Sequence, residues 1–301
     1  MSPSQSKAWI GTIPVVFVLI WSTGFIVARY GMPHAPPFGF LLLRYFLSVL
    51  CFGVWIKWAK VPWPVGRAQW LHLSVTGILM HAGYLGGVWA AVKAGMGSGL
   101  SSLIVGFQPI LTAIFLSFSL RGTSSAGVSQ RQWLGLLLGF LGLLMVVWHK
   151  FTWGSPMDHV TPVNMACALI ALLSITMGTL YQKRFVLACD VRTAISVQIM
   201  AAFVVTLPLA MLESEAMYWN RELMGAMAWS VLGLTLGGSS LFYMLIQRGA
   251  TTAVTSLLYL VPPTTALIAW VLFGESLTLV TLFGTALTAL GVGLVLRPSR
   301  L

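Results

Sequence analysis

Residues 98–109 read SGLSSLIVGFQP, and residues 252–263 read TAVTSLLYLVPP. Both stretches are apolar, carry hydroxyl residues at the same places and end on proline, 154 residues apart. The same shift carries Gly24 onto Gly178, Gly95 onto Gly249, and Ser101 and Ser102 onto Thr255 and Ser256. It carries Arg44 onto Gln198, Arg29 onto Lys183, Trp89 onto Tyr243 and Lys93 onto Gln247. A duplicated set of apolar helices with matching breaks and matching polar positions is a common plan of membrane transporters.

Composition agrees. Hydrophobic residues make up 58% of the chain and charged residues only 8%, where a soluble domain carries about 25% charged residues. Such a chain belongs in a bilayer. Apolar runs fall at 9–29, 37–57, 69–92, 97–119, 131–149, 162–183, 192–212, 222–246, 250–272 and 277–296. Each is long enough for a membrane helix, which needs about 20 residues. The run after Lys7 exceeds the length of a signal-peptide core and is read as an uncleaved first helix.

Charge sets the direction. With the N-terminus in the cytoplasm, twelve of the 17 Lys and Arg residues fall inside and four outside: Arg29, Lys93, Lys150 and Arg221. Asp158, Glu213, Glu215, Glu222 and Glu275 fall outside, Asp190 inside. This bias explains the net charge of +11 by the positive-inside rule rather than by nucleic-acid binding. The expected fold is all-α, polytopic, of ten transmembrane helices with both termini cytoplasmic. Five spans per half put the halves in opposite senses, an inverted repeat with two near-equivalent packings and hence alternating access.

The chain resembles the EamA type of the drug/metabolite transporter superfamily. The resemblance rests on Trp21-Ser22-Thr23-Gly24-Phe25, Leu42-Leu43-Arg44-Tyr45, Pro109, Pro262-Pro263, Phe273-Gly274-Glu275, Gly284, Gly291 and Gly293. It implies one repeat over 1–153 and another over 154–301. It also implies a cavity among spans 1–4 and 6–9, peripheral spans 5 and 10, and export of a small metabolite such as an amino acid. One departure is visible: Gly274-Glu275 has Leu120-Arg121 at its first-half position.

Candidate pathway residues follow from polarity within spans. Arg44 stands about 12 Å into its helix at 1.5 Å per residue, where a charge faces a bundle interior or a wet cavity. It can hold a carboxylate or phosphate, or pin helix-end carbonyls. His81, Tyr84 and Trp89 share the third span, and His81 can relay a proton or simply bond a neighbouring helix. Trp21 and Phe25 lie one turn apart, as do Tyr243 and Gln247. Ser101, Ser102, Gln108 and Pro109 lie on one helix face, and Thr255, Ser256, Tyr259, Pro262 and Pro263 repeat it. These stripes line a pathway or let helices pack closely, with the prolines as helix breaks. Gln198 is the neutral mate of Arg44. Tyr181 and Gln182 diverge by about 100°, so at most one faces a cavity.

Absences narrow the class. No carboxylate lies within a span, against exporters that use a membrane-embedded glutamate. His34, His72, His81, His149 and His159 form no metal-ligand pair, and Cys51, Cys167 and Cys189 have no metal or disulfide spacing. No phosphate-binding loop is present, so neither an enzyme nor an ATP-driven pump is expected, and no cofactor or metal. A passive facilitator is the alternative. The expected partners are a small-molecule solute and the lipid bilayer of a bacterial inner membrane, with no nucleic acid. Glycine faces on spans 5 and 10 permit a homodimer.

Overall fold

The structure is a computed structural model that describes residues 3–119, 130–153, 159–247, 260–275 and 277–296. Every described element is helical. The helices are α1 Pro3–Gly31, α2 Pro37–Ala59, α3 Arg67–Lys93, α4 Ser98–Val105, α5 Gln108–Ser119 and α6 Gln130–Trp153. They continue with α7 Pro162–Phe185 and α8 Val191–Met211. The next, α9, is built from Arg221–Trp229, Ser230–Ser239 and Ser240–Gln247. The last are α10 Val261–Phe273 and α11 Leu279–Leu296. Six helices are long and apolar enough to cross a membrane, and four shorter apolar ones accompany them, among the described residues.

Local chemistry explains the helix ends. Pro37 opens α2, where its missing N–H costs nothing. Thr161 and Asn164 form a reciprocal capping box at the start of α7, with Pro162 at its first position. Asp190 caps α8 and Asn220 caps α9. Gly274 ends α10 at φ 65°, a left-handed conformation that glycine adopts without strain.

The sequence predicts one span over 97–119, and the structure divides it at Gly106 and Phe107 into α4 and α5. Pro109 has no N–H for the Val105 carbonyl. The chain adjusts through shorter turns, Phe107 N to Ile104 O and Ile110 N to Phe107 O, both 3.1 Å. The other prolines stand differently. Pro262 and Pro263 occupy the first turn of α10, so within the described residues they start a helix rather than interrupt one. Thr255, Ser256 and Tyr259 lie outside the described residues.

Two stretches are wound wider than an α-helix. Residues Ile78–Gly83 in α3 and Ser230–Ser239 in α9 form π-helical turns. A shift of 154 places 78–83 on 232–237, inside the second stretch. Packing repeats in the same way. Helix α3 lies against α7 and α8, and α9 lies against α1 and α2.

The outer surface of the bundle is apolar: Leu50, Val54, Leu137, Leu173, Val204 and Phe283 are all exposed. Small polar residues are inside, among them Ser22, Ser48, Thr76, Thr176, Thr193 and Thr206. That distribution suits a lipid solvent. Trp58, Trp148 and Trp153 project outward near helix ends, at 89%, 65% and 80% exposure, as interfacial anchors do.

Helices α6 and α11 form the most extensive helix pair. Their glycines meet one another within the chain. A Cβ on Gly142 would lie 2.5 Å from the Gly284 carbonyl, and one on Gly291 would strike the backbone at Gly135 and Gly139. Thr288 Oγ1 donates to Gly284 O at 2.8 Å in the same contact. Gly142→Val and Gly284→Val are expected to separate the pair at a cost of about 1–3 kcal/mol each. Gly225→Ala, with nothing within 4 Å, should leave stability unchanged or slightly raised. Thermal unfolding of the purified protein checks the contrast.

Asp190 also yields a pH prediction. Its carboxylate accepts from Arg192 N, Nε and Nη2 at 2.9, 2.9 and 2.8 Å. The Arg192 hydrogen bond holds this carboxyl below the usual carboxylate range. A depressed folded pKa stabilises above the unfolded value and is lost as pH falls through the folded one. Side-chain exposures of 26% and 29% leave the pair solvent-screened, so the effect stays under about 1 kcal/mol. Asp190→Asn should lack the stability increment that the native chain loses as pH falls below about 5, through the unfolded value of about 3.9 and on through the lower folded one, read by thermal unfolding against pH.

Candidate functional site

A central cavity opens among α1, α2, α3, α7, α8 and α9. Trp21, Gly24 and Phe25 come from α1, and Arg44 from α2. The wide turn of α3 supplies Met80 and His81, and the α-helical turns after it supply Tyr84, Leu85, Val88 and Trp89. Gln182 and Gln198 enter from α7 and α8. Leu234, Ser239, Phe242 and Tyr243 enter from α9. A π-turn opens the regular bonding ladder and often accompanies a functional site. Here it turns polar groups of α3 and α9 towards the bundle interior.

Arg44 is 3% exposed. Its Nε donates to Thr235 Oγ1 at 3.1 Å, and that hydroxyl donates on to Ser230 O at 2.8 Å. The i−5 spacing of the second bond belongs to the π-helical winding of α9. Arg44 Nη1 is buried and finds no hydrogen-bond partner among the described residues. On the opposite wall, Gln198 and the His81 ring line the cavity. Gln198 Nε2 faces Gln182 Oε1 at 3.4 Å. A shift of 154 carries Arg44 onto Gln198 and His81 onto Thr235.

Aromatic groups close the cavity. Trp21 stacks on Phe242 with centroids 4.8 Å apart, and Phe17 lies behind both. Trp89 stacks on Phe40 at 4.4 Å beside Gly31, whose lack of a side chain makes room for the indole. Tyr84 lines the same space as Trp21, and Tyr45 donates to His81 O at 2.9 Å.

The structure gathers Trp21, Phe25, Arg44, His81, Tyr84, Trp89, Gln198 and Tyr243 into one space, as the sequence reading groups them. Three other candidates stand elsewhere. Ser101 is buried in the packing of α4, and Ser102 Oγ returns to its own helix at Gly99 O, 2.8 Å. Gln108 Nε2 donates to Thr179 Oγ1 at 3.0 Å, joining α5 to α7. Gly106 lies against Pro262, so the two proline-bearing segments pack together. Gln247 ends α9. Of the adjacent pair, Gln182 lines the cavity, whereas Tyr181 turns to His72 Nδ1 at 2.8 Å. Thr235, Ser239 and Phe242 are absent from the sequence-based set. Thr235 is findable as the repeat mate of His81; the other two are ordinary residues of an apolar run.

One end of the bundle is held by carboxylates that cross the chain. Glu213 accepts from Phe38 N and Gly39 N, at 3.0 and 2.7 Å, capping α2. Glu275 accepts from Ser98 N, Ser98 Oγ and Gly99 N, at 2.8, 2.7 and 3.1 Å, capping α4. Lys93 Nζ pairs with Glu215 at 2.6 Å and donates to Met32 O and Ala35 O. At the opposite end Gln69 binds both the N–H and the carbonyl of Leu187.

Comparison with known proteins places this arrangement. A protein of Salmonella typhimurium named "Probable amino-acid metabolite efflux pump" is 24% identical over 292 residues, covering 94% of this chain and 93% of its own. An uncharacterized transporter of Bacillus subtilis is 22% identical over 285 residues, covering 94% and 90%. A solved crystal structure superposes with a TM-score of 0.66 at 18% identity, covering 94% of this chain and 95% of that one, a likeness of fold. The model of the EamA-like transporter family matches twice, over residues 8–148 and 164–297. With its apolar exterior, its central cavity holding a buried arginine and these two matches, the chain belongs to the EamA-like transporter family and is a multi-pass membrane transporter.

Proposed function

We propose that this chain is a secondary transporter that moves a small organic metabolite, such as an amino-acid derivative, out across the bacterial inner membrane by alternating access. The observation that carries the reading is the placement of repeat mates on facing walls of one cavity. Arg44 bonds Thr235 on one wall, and their mates Gln198 and His81, 154 residues away, line the other. Two halves that set matching positions around one cavity can pack in two near-equivalent ways, each opening it to one side.

The helix pattern supports the larger arrangement. Taking α4 and α5 as one interrupted span gives ten spans, five in 1–153 and five in 154–301. Self-mated pairs follow: α2 with α8, α4 with α10, and α6 with α11 are all in contact. With both termini cytoplasmic, the Glu213, Glu215 and Glu275 contacts lie on the outer side, where they would hold the outer gate shut. Outward opening then requires these bonds to part. Ser101, Ser102 and Gln108 would line the path in that second state. The efflux and amino-acid character named for the Salmonella protein agrees with export but is carried here as part of the proposal.

Counterflow in proteoliposomes tests the mechanism. Preloaded unlabelled solute should accelerate uptake of labelled solute, because an exchanging carrier returns loaded. A pore gives no such trans-stimulation, and that result would replace the carrier by a passive facilitator. Arg44→Gln, which makes the first half resemble the second, is expected to lower exchange by at least about tenfold, the equivalent of losing one charge-assisted hydrogen bond. Unchanged exchange by a normally inserted variant would assign Arg44 to structure alone.

A further inference from the structure

We infer, on the basis of the transport reading above, that the cavity selects solutes with one anionic head, a carboxylate or an equivalent oxyanion, on an apolar or aromatic body. It disfavours the zwitterion and the cation built on the same body.

The head is set by Arg44. Its guanidinium is buried and lines the cavity, its Nε is committed to Thr235, and its Nη1 has no partner among the described residues. A buried donor on a fixed charge is costly to leave open. A planar oxyanion matches a guanidinium in both charge and shape.

The charge balance of the chain points the same way. It contains six acidic residues, and all fall between the apolar runs or at their ends. Glu213 and Glu275 are engaged as helix caps, Glu215 pairs with Lys93, and Asp190 pairs with Arg192. No described residue lining the cavity carries a carboxylate. The segment 248–259, outside the described residues, contains no Asp or Glu in its sequence. Among the described residues Arg44 therefore has no counter-ion in this space, and the solute supplies it.

An ammonium group would meet the opposite situation. It would enter a low-dielectric space already holding a guanidinium, with no carboxylate to receive it. The carbonyl of Gln182 already faces the Gln198 amide. Ring faces offer an ammonium only partial compensation. They suit a neutral apolar body better: Trp21, Phe25, Trp89 and Phe242 surround the remaining space with Met80 and Leu234.

Three probes share one body and differ only in charge: 3-phenylpropanoate, phenylalanine and phenethylamine. Binding of each to the full-length protein in detergent is read by thermal shift over a concentration series, and solute exchange by counterflow. The anion should bind at least about tenfold more tightly than the zwitterion, and the cation should give no shift. Arg44→Gln should abolish the preference for the anion. Should that variant fail to fold, Gln182→Glu serves instead: a carboxylate in the cavity should move the preference towards phenylalanine. Equal or tighter binding of phenylalanine by the native protein would overturn the inference, as would an Arg44→Gln or Gln182→Glu variant with the native preference. If none of the three binds while the protein still exchanges a mixture of metabolites, the substrate class is wrong and the transport reading stands. If it exchanges no solute at all, the transport reading itself falls.

Discussion

A backbone N–H or C=O within hydrocarbon has no water to bond, so each must find its partner in the protein. That requirement governs almost every departure from regular helix in this chain. Where Pro109 removes one donor, the backbone tightens through Gly106 and Phe107 and makes the bonds it still can. Where α3 and α9 need to aim polar groups inward, they widen by π turns rather than break. Where helices begin at one end of the bundle, carboxylates arrive to accept the free N–H groups of α2 and α4. The cavity is therefore framed by elements whose backbones remain bonded, and the polar chemistry left over belongs to side chains.

Of that chemistry, Arg44 is the least symmetric part. The fold treats its two walls alike: each has a widened helix and a side chain from a neighbouring helix reaching it. The residue types differ, a guanidinium bonded to a hydroxyl on one wall against an amide and an imidazole on the other. In the transport cycle proposed above, the repeat would supply the frame for motion, and the one charged member would give that frame a preference for what it carries. The aromatic stack of Trp21 and Phe242 and the Trp89–Phe40 plug restrict the remaining space to a narrow, ring-lined volume.

Much of this arrangement is legible in the amino-acid sequence. Apolar run lengths place most helix limits within two or three residues, as with 37–57 against Pro37–Ala59 and 162–183 against Pro162–Phe185. Arg44, His81, Trp89 and Tyr243 stand out because a polar or broad aromatic side chain in an apolar span needs a reason. The serine stripe of α4 carries no comparable discrimination: a small hydroxyl can bond its own helix, as Ser102 does, and so suits packing as well as a wet path. The division of α4 from α5 follows from proline chemistry, but its position depends on which carbonyls can be reached by shorter turns. Phe242 and Leu234 do not stand out in the same way, since the face an apolar residue turns inward depends on the widened winding of α9, which periodicity of 3.6 does not anticipate.

The carboxylate caps have a consequence for biosynthesis. Glu213 and Glu275 reach helix starts 175 and 177 residues earlier in the chain. The helices α7, α8 and α9 carry their own local caps in Thr161, Asp190 and Asn220. During translation the earlier helices α2 and α4 therefore emerge with open N-terminal amides and stay so until much later residues arrive. Three helices of the second half are thus equipped to complete their starts as they are made, whereas α2 and α4 are completed by later residues. A ribosome that stops after the first half would release a product lacking the acceptors that finish two of its helices, although the family model matches both halves.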